Sequence, residues 1–408
     1  MFDFLGLTAI SLVSLITIII ALKYNAISKI LLAALFVRII FLIINNHIFY
    51  LPDGDMDALN FEARAWTLAV VGFDRLFDYI IGPDPYFYSF ALAIPYSLFG
   101  RSMLMAQSIS IFFGIGCIIL SWLVARKLWN DQTAIKVGWV MALFPSLISY
   151  SVLTMREVYI TFFLLVAIYG IVNWVKNGGF EYFCIVIFGF VAATFFHGPL
   201  FVGVFVFLFV ILFQNLDKSF KLIKNKIINI KLLLIIICSS TFFVLYFTNQ
   251  FSLPYLKTFD YISLDQLRFL MVINSKGDAS YPDWLQIGSN NIEFFYKLPI
   301  RSLYFLFSPL PWDISKASHL VGMFDGFCYM ILSYLIFCNR KKIWKDPALR
   351  IILLIVITYI FVFSVGVSNF GTGIRHRSKF VIELILLAGP LIPKIILFNK
   401  KKIKKNLK

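Results

Sequence analysis

Residues 5–22 read LGLTAISLVSLITIIIAL, a stretch without a single charged side chain. A transmembrane α-helix needs about 20 mostly apolar residues to cross the hydrocarbon core of a bilayer. This stretch therefore predicts a membrane-spanning helix, and similar runs recur along the whole chain of 408 residues. The predicted spans are 5–22, 27–49, 104–125, 136–153, 157–175, 182–196, 199–214, 232–248, 318–338, 350–368 and 380–398.

The composition agrees with a chain solvated by lipid. Hydrophobic residues make up 60% of the chain and charged residues only 14%, whereas a soluble domain is about a quarter charged. No polar stretch is long enough for a second globular domain. We therefore predict a single transmembrane domain, 1–408, whose fold is an all-α, polytopic helix bundle of about 11 spans.

The loops between these spans differ in charge. Alternate loops, together with the carboxyl-terminal tail, hold 23 of the 37 Lys and Arg residues with four acids, while the opposite loops hold 13 with 16 acids. Cytoplasmic loops are enriched in Lys and Arg, so the amino terminus is predicted outside and the carboxyl terminus, with its basic tail 399–408, in the cytoplasm. The net charge of +16 therefore comes from loops and a tail that can contact anionic membrane lipids. This distribution excludes binding of nucleic acid as the reason for the charge.

Two segments on the outer side are too long for simple turns. Segment 50–103 contains a charged and aromatic stretch at 73–80 and an apolar stretch at 86–99 that is short for a span. It is predicted to form interfacial or re-entrant helices in a first outer loop. Segment 249–317 is rich in polar residues, Gly, Pro and Trp, and is predicted to be a large outer loop.

Acidic residues open the first outer loop. Asp53, Asp55 and Asp57 alternate, and Arg64 follows them. Alternate carboxylates can hold a divalent cation or supply a general base. An EF-hand is excluded because Ala58 and Arg64 stand where that loop needs Gly and Glu. The alternative is a solvated acidic loop without chemistry.

Two further candidates lie at outer helix ends. Arg156 and Glu157 form either a structural ion pair or a site for a lipid-linked phosphate. His197, between two predicted spans, is either a hydrogen-bonded turn residue or a base or phosphate ligand.

The sharpest motif is GTGIRHR at 371–377, which opens the last predicted span from the outside. Backbone amides at a helix start attract anions, and Arg recognises phosphate oxygens through forked hydrogen bonds. Arg375, His376 and Arg377 therefore predict a diphosphate site, with anchoring to lipid headgroups as the alternative. Arg301 and Trp312 are weaker candidates for a substrate contact at the interface.

Charges inside a bilayer are costly and are usually paired. Arg38 and Glu383 both lie within predicted spans, so each is expected to be paired or to face a cavity, and a direct pair between them is one hypothesis.

Two family resemblances follow from these motifs. The acidic first loop, YSLFG at 96–100, ARKL at 125–128 and the FP pair at 144–145 resemble the integral-membrane glycosyltransferases of the GT-C superfamily over residues 50–175. MRE at 155–157, HG at 197–198, the stretch 309–312 and GTGIRHR at 371–377 resemble the polysaccharide repeat-unit polymerases of the Wzy type.

These resemblances imply a glycosyltransferase of the bacterial inner membrane, active on its periplasmic face, that uses undecaprenyl-linked saccharide as donor and acceptor. A GT-C enzyme would use Asp53 or Asp55 as the acceptor's base, in some cases with Mg²⁺ or Mn²⁺. A polymerase would need no metal and would hold the lipid diphosphate with Arg156, Arg375 and Arg377, helped by His197 or His376. A chain-length regulator or a flippase is an expected partner.

The complete set of predicted site residues is divided by role. The catalytic candidates are Asp53, Asp55, Asp57, Glu157, His197 and His376. The candidates for binding substrate are Arg64, Arg156, Arg301, Trp312, Arg375 and Arg377. The candidates for a metal are Asp53 and Asp55.

Repeat-unit polymerisation, as in O-antigen or exopolysaccharide biosynthesis, is the first hypothesis. A transferase that adds one sugar from a polyprenyl-phosphate donor is the second. A flippase for lipid-linked oligosaccharide is a third, although the internal repeats typical of transporters are not visible in the sequence.

Overall fold

The computed structural model describes residues 3–79, 86–211, 279–286 and 291–394. These residues are helical and contain no β-strand apart from an isolated bridge between Ser280 and Asn369. The helices of the described chain are α1 (Phe4–Lys23), α2 (Ser28–His47), α3 (Asp57–Ala69), α4 (Phe73–Leu76), α5 (Phe87–Phe99), α6 (Met103–Leu128), α7 (Asp131–Leu143), α8 (Pro145–Val152), α9 (Glu157–Asn177), α10 (Phe180–Phe196), α11 (Gly198–Ile211), α12 (Asn291–Phe307), α13 (Ala317–Lys345), α14 (Pro347–Gly366), α15 (Phe370–Arg377) and α16 (Val381–Ala388).

Six of these helices are long and apolar enough to cross a membrane, namely α1, α2, α6, α9, α13 and α14. Each of them coincides with a predicted span. The described helices α10, α11 and α16 are apolar but shorter. The chain is therefore an all-α protein with membrane-length helices.

The predicted span 136–153 is divided into α7 and α8, which meet at an angle of 57°. Phe144 between them is extended, and Pro145 occupies the first position of α8. Proline has no amide hydrogen and disfavours the helical conformation in the residue before it. The bend therefore has a local cause, and it leaves the end of α8 beside the first outer loop.

Helix α5 covers the apolar stretch predicted to be re-entrant or interfacial. Its 13 residues extend about 20 Å, less than the roughly 30 Å of a hydrocarbon core. Ser89 Oγ of α5 donates to the Phe61 carbonyl at 2.8 Å, and the Tyr96 hydroxyl donates to Glu62 Oε1 at 2.9 Å. Arg101 completes the attachment with a 2.7 Å ion pair to Glu62. These contacts fix α3, which carries Asp57 in its first turn.

Helices α9 and α10 pack most closely where glycine is present. A Cβ atom added at Gly189 would lie 2.5 Å from the backbone nitrogen of Ala167, and one added at Gly170 would lie 2.8 Å from that of Val186. Only glycine permits so close an approach of two backbones. This packing sets the start of α9 beside the end of α10.

The basic turns at 126–136 and at 176, both predicted to be cytoplasmic, lie together at one end of the bundle. Lys127 contacts the side chain of Asn173 near the end of α9, and Lys136 Nζ donates to the Pro390 carbonyl at 3.1 Å. Helix α9 is about 30 Å long at 1.5 Å per residue. Glu157 at its start therefore lies about the thickness of a hydrocarbon core away from the end of the helix, near which Asn173 lies. The basic turns and Glu157 therefore occupy opposite ends of the bundle.

The expected ion pair between Arg38 and Glu383 is not formed. Arg38 Nη1 instead donates to the carbonyls of Ala34 at 3.3 Å and Ala142 at 3.2 Å. Oε2 of Glu383 is buried without a hydrogen-bond partner in the described chain. The Ala142 carbonyl is available to Arg38 because the break after α7 frees carbonyl groups that a continuous helix would use.

Some predictions lie outside the described residues. These are the span 232–248, residues 249–278 and 287–290 of the outer loop 249–317, and the basic tail 399–408.

Candidate functional site

Four parts of the chain that are distant in sequence meet at the Glu157 end of the bundle. We call them the Glu157 cluster, defined by Asp57, Arg156, Glu157, His197, Arg375, His376 and Lys379. Six of these seven residues were predicted as site residues from the sequence, and Lys379 was not.

The loop between α2 and α3 brings the first carboxylates to the site. Asn45 Oδ1 accepts the amide of Leu51 at 3.1 Å, and a Cβ atom at Gly54 would lie 2.7 Å from that oxygen. Asp53 has a φ of +67°, which is uncommon for a residue other than glycine. Its Oδ2 accepts a hydrogen bond of 2.9 Å from the Tyr150 hydroxyl of α8. Asp53 is therefore held next to the cluster by a bent backbone and a buried phenol.

Arg375 joins two carboxylates that come from different helices. Its Nη1 binds Asp57 at the start of α3, and its Nε donates to Glu157 Oε1 at 2.9 Å. Burial opposes the charge on Arg375, but Glu157 and Asp57 outweigh this effect and raise its pKa. The guanidinium is therefore firmly charged.

Glu157 is the common anion of the cluster and is almost completely buried. Its Oε1 lies 3.7 Å from Arg156 Nε and 3.7 Å from Lys379 Nζ. Its Oε2 has no hydrogen-bond partner among the described residues. One carboxylate thus serves three basic side chains.

Lys379 is fully buried directly after α15 and lies 2.6 Å from Nδ1 of His376. Burial lowers the pKa of Lys379 well below its ordinary value; Glu157 opposes the shift, and Arg156 and Arg375 add to it. Burial and the charge of Lys379 also lower the pKa of His376. A neutral His376 ring can accept at Nδ1, which places its own proton on Nε2.

His197 lies in the turn between α10 and α11. Its ring stacks on the His376 ring with centroids 5.1 Å apart, and both of its ring nitrogens are buried without a hydrogen-bond partner in the described chain. Burial lowers its pKa well below the ordinary value, and the charges of Lys379 and Arg156 lower it further. His197 is therefore a neutral ring with unused hydrogen-bonding capacity.

An open cleft of about 700 Å³ adjoins the cluster. Its cationic lining consists of Arg64, Arg156 and Arg375, and Asp57 contributes a carboxylate. The Arg64 guanidinium lies 3.7 Å from the centre of the Tyr86 ring, which also lines the cleft. Three guanidinium groups around one open space are suited to an anion with several oxygens.

Some predicted site residues lie apart from the cluster. Arg301 is buried and donates to the carbonyls of Leu285 at 2.9 Å and Val367 at 2.6 Å. Asp55 and Trp312 are exposed, Trp312 to 72%.

Arg377 faces away from the cleft. Its Nη2 forms a 3.0 Å ion pair with Asp325 of α13, and its Nη1 donates to the Leu306 carbonyl at 3.0 Å. Arg301 and Arg377 thus bind protein atoms in the described structure, and their predicted contacts with substrate stay predictions.

The acidic loop has few partners for a metal ion. In the chain as far as it is described, no three His, Cys, Asp or Glu side chains lie together in a way that could hold one. Mg²⁺ is often bound by one or two carboxylates together with water and substrate phosphates. Asp53 and Asp55 as metal ligands would therefore depend on substrate and water for the remaining positions.

Tyr150 and Lys379 belong to the site although neither was predicted. Lys379 carried a signal, because it follows Arg375 by four residues and His376 by three, the spacings that share a helix face. Tyr150 carried no such signal, since its contact with Asp53 depends on the bend before α8.

The stability of the fold should depend on pH through its buried histidines. At a pH above the ordinary histidine pKa of 6.5, the His197 ring is neutral in both the folded and the unfolded chain. Below this pKa the unfolded chain binds a proton that the folded chain does not, so the free energy of unfolding falls as the pH is lowered, with a limiting slope of about 1.4 kcal/mol per pH unit for each such ring. We expect His197→Phe to reduce this slope. The measurement is a series of unfolding midpoints between the ordinary histidine pKa and one pH unit below it.

His47→Phe is the matched control, because His47 is exposed at the end of α2. It should keep the slope of the unmodified protein. Equal slopes in His197→Phe and His47→Phe would contradict the assignment of a neutral, buried His197.

The fold and the site together define an all-helical membrane protein with a buried ionic cluster and a cationic cleft at one end of its helices. No protein-family model matches the chain, and no curated protein matches it either. The function is therefore argued from the site.

Proposed function

We propose that the chain is a membrane glycosyltransferase that uses polyprenyl-linked saccharide, and that it polymerises polysaccharide repeat units. The observation that carries the proposal is the cleft lined by Arg64, Arg156 and Arg375 with Asp57 at the end of membrane-length helices. The phosphates of a lipid-linked sugar lie at the membrane surface, where the helices end, while its hydrocarbon chain lies in the bilayer.

The topology belongs to the same proposal. Eleven spans with the amino terminus outside would put the cleft on the non-cytoplasmic face, because the described basic turns at 126–136 and 176 are at the opposite end of the bundle. In a bacterium this is the periplasmic face of the inner membrane. Lipid-linked saccharide would supply both donor and acceptor, with no soluble nucleotide sugar.

The proposed reaction assigns a role to each residue of the site. The acceptor hydroxyl attacks the anomeric carbon, the bond from that carbon to the phosphate oxygen breaks, and the diphosphate leaves with the electron pair. Arg64, Arg156 and Arg375 would hold the diphosphate and offset the charge that develops on it.

Asp53 would take the hydroxyl proton. Burial raises its pKa, and the charge of Arg375 and the bond from Tyr150 only partly offset this. A raised pKa brings a carboxylate closer to the operating pH and makes it a better base.

Asp53 also supports a second candidate, a transferase that adds one sugar from a polyprenyl-phosphate donor. A single carboxylate base in the first outer loop is what the resemblance to GT-C enzymes implies. This reaction has a monophosphate leaving group and otherwise needs the same cleft.

Deletion of the coding sequence in its host distinguishes the two candidates by the surface glycan on a gel. We expect the ladder of chain lengths to collapse to one repeat unit on its carrier, and the ladder to return when the unmodified chain is supplied. Unchanged chain lengths with one sugar missing per unit would establish the single-sugar transferase. An unaltered glycan would exclude both.

A further inference from the structure

Arg375 has two carboxylate partners that differ in how easily they can leave. Glu157 is buried to 99% and meets Nε, whereas the side chain of Asp57 is 46% exposed and meets Nη1 at the cleft. A buried carboxylate cannot be separated from its cations at low cost. An ion pair that solvent reaches is weak and screened. Arg375 therefore has one permanent anion and one exchangeable anion.

Asp57 occupies the place where an anionic ligand would bind. Asp57 and Arg375 both line the cleft, and the other cationic residues around this space are Arg64 and Arg156. A carboxylate and a phosphate offer a guanidinium the same forked pair of oxygens. The Asp57 carboxylate thus gives Arg375 the kind of contact that a phosphate group of a ligand would give.

We propose that Asp57 is an internal counter-anion, which a phosphate or diphosphate group displaces from Arg375 when it enters the cleft. The identity of that group as part of a lipid-linked saccharide rests on the proposed function, but the displacement does not. In this exchange a phosphate group replaces the singly charged Asp57 side chain at Arg375. The phosphate group carries more negative charge and gains contacts with Arg64 and Arg156.

The displacement changes the charges that a saccharide meets in the cleft. A neutral saccharide has no anion to exchange with Asp57, so it leaves the pair between Asp57 and Arg375 closed. An anionic ligand opens the pair and leaves the Asp57 carboxylate free at the edge of the cleft, beside Asn60 and Arg64. The reacting saccharide therefore meets a site whose charges the bound phosphate group has rearranged.

Binding of inorganic pyrophosphate to the purified full chain in detergent tests the proposal without any saccharide. Removal of the competing carboxylate in Asp57→Asn should tighten binding roughly twofold to fivefold, the range for loss of one exposed ion pair. Arg375→Ala should weaken binding. Asp74→Asn removes the same charge from an exposed position in α4 and should leave the affinity as it is.

Asp57→Ser is a second variant that lacks the carboxylate and can still accept a hydrogen bond at the start of α3. It should show the same increase, with folding followed by gel filtration. Affinities in both Asp57 variants no higher than in Asp74→Asn would overturn the proposal, as would an absence of pyrophosphate binding in all variants. Tighter binding together with an unaltered glycan in the deletion strain would retain the counter-anion and exclude the glycosyltransferase.

Discussion

Replacing Glu157 with alanine is expected to lower the free energy of unfolding by about 3–5 kcal/mol, the range for loss of one partner from a buried ionic group. Glu157 accepts from Arg375 Nε at 2.9 Å, and Arg156 and Lys379 lie 3.7 Å from the same oxygen. Alanine would leave three basic side chains without their shared anion, and one of them, Lys379, is fully buried. The measurement is an unfolding titration of the purified protein in mild detergent.

Two variants make this result specific. Glu181→Ala removes an exposed carboxylate from the first turn of α10 and should cost little. Glu157→Gln keeps the shape and an acceptor oxygen but loses the charge, so its loss of stability should fall between the other two. An unfolding midpoint for Glu157→Ala that equals that of Glu181→Ala would show that the cluster does not support the fold.

The long helices could be predicted because their cause is local in sequence. An apolar run of membrane length is helical wherever it lies in lipid, since its backbone groups must bond within the segment. The prediction 5–22 therefore corresponds to α1 (Phe4–Lys23), and 157–175 to α9 (Glu157–Asn177). The division of 136–153 at Pro145 was missed, because hydropathy alone does not register a proline inside an apolar run.

The members of the site could be predicted in part, because basic residues are uncommon at the outer ends of membrane helices unless they bind a ligand or form an ion pair. The sequence does not reveal which way each of them points. Arg375 and Arg377 are two residues apart on α15, which turns them about 200° from each other. Arg375 accordingly meets Asp57 at the cleft, and Arg377 meets Asp325 inside the bundle. Their separate contacts depend on where α3 and α13 lie, and that is a property of the tertiary fold.

Replacing Arg375 with alanine is expected to reduce glycan synthesis about 100-fold or more, with normal amounts of protein in the membrane. The loss matches removal of one preorganised donor that stabilises a developing anion. The fold should survive, because Glu157 keeps Arg156 and Lys379 as partners at 3.7 Å. The measurement is the surface glycan of a deletion strain that carries the variant, with membrane protein quantified in parallel.

The variant Arg375→Lys separates charge from geometry. Lysine keeps the positive charge but has no separate nitrogens for Asp57 and Glu157, which the guanidinium contacts through Nη1 and Nε. It also cannot form the forked contact that a guanidinium makes with a phosphate. It should therefore restore only part of the activity. Arg75→Ala, which removes an exposed arginine of α4 outside the cluster, should retain full activity. Full activity in well-folded Arg375→Ala would remove Arg375 from the reaction.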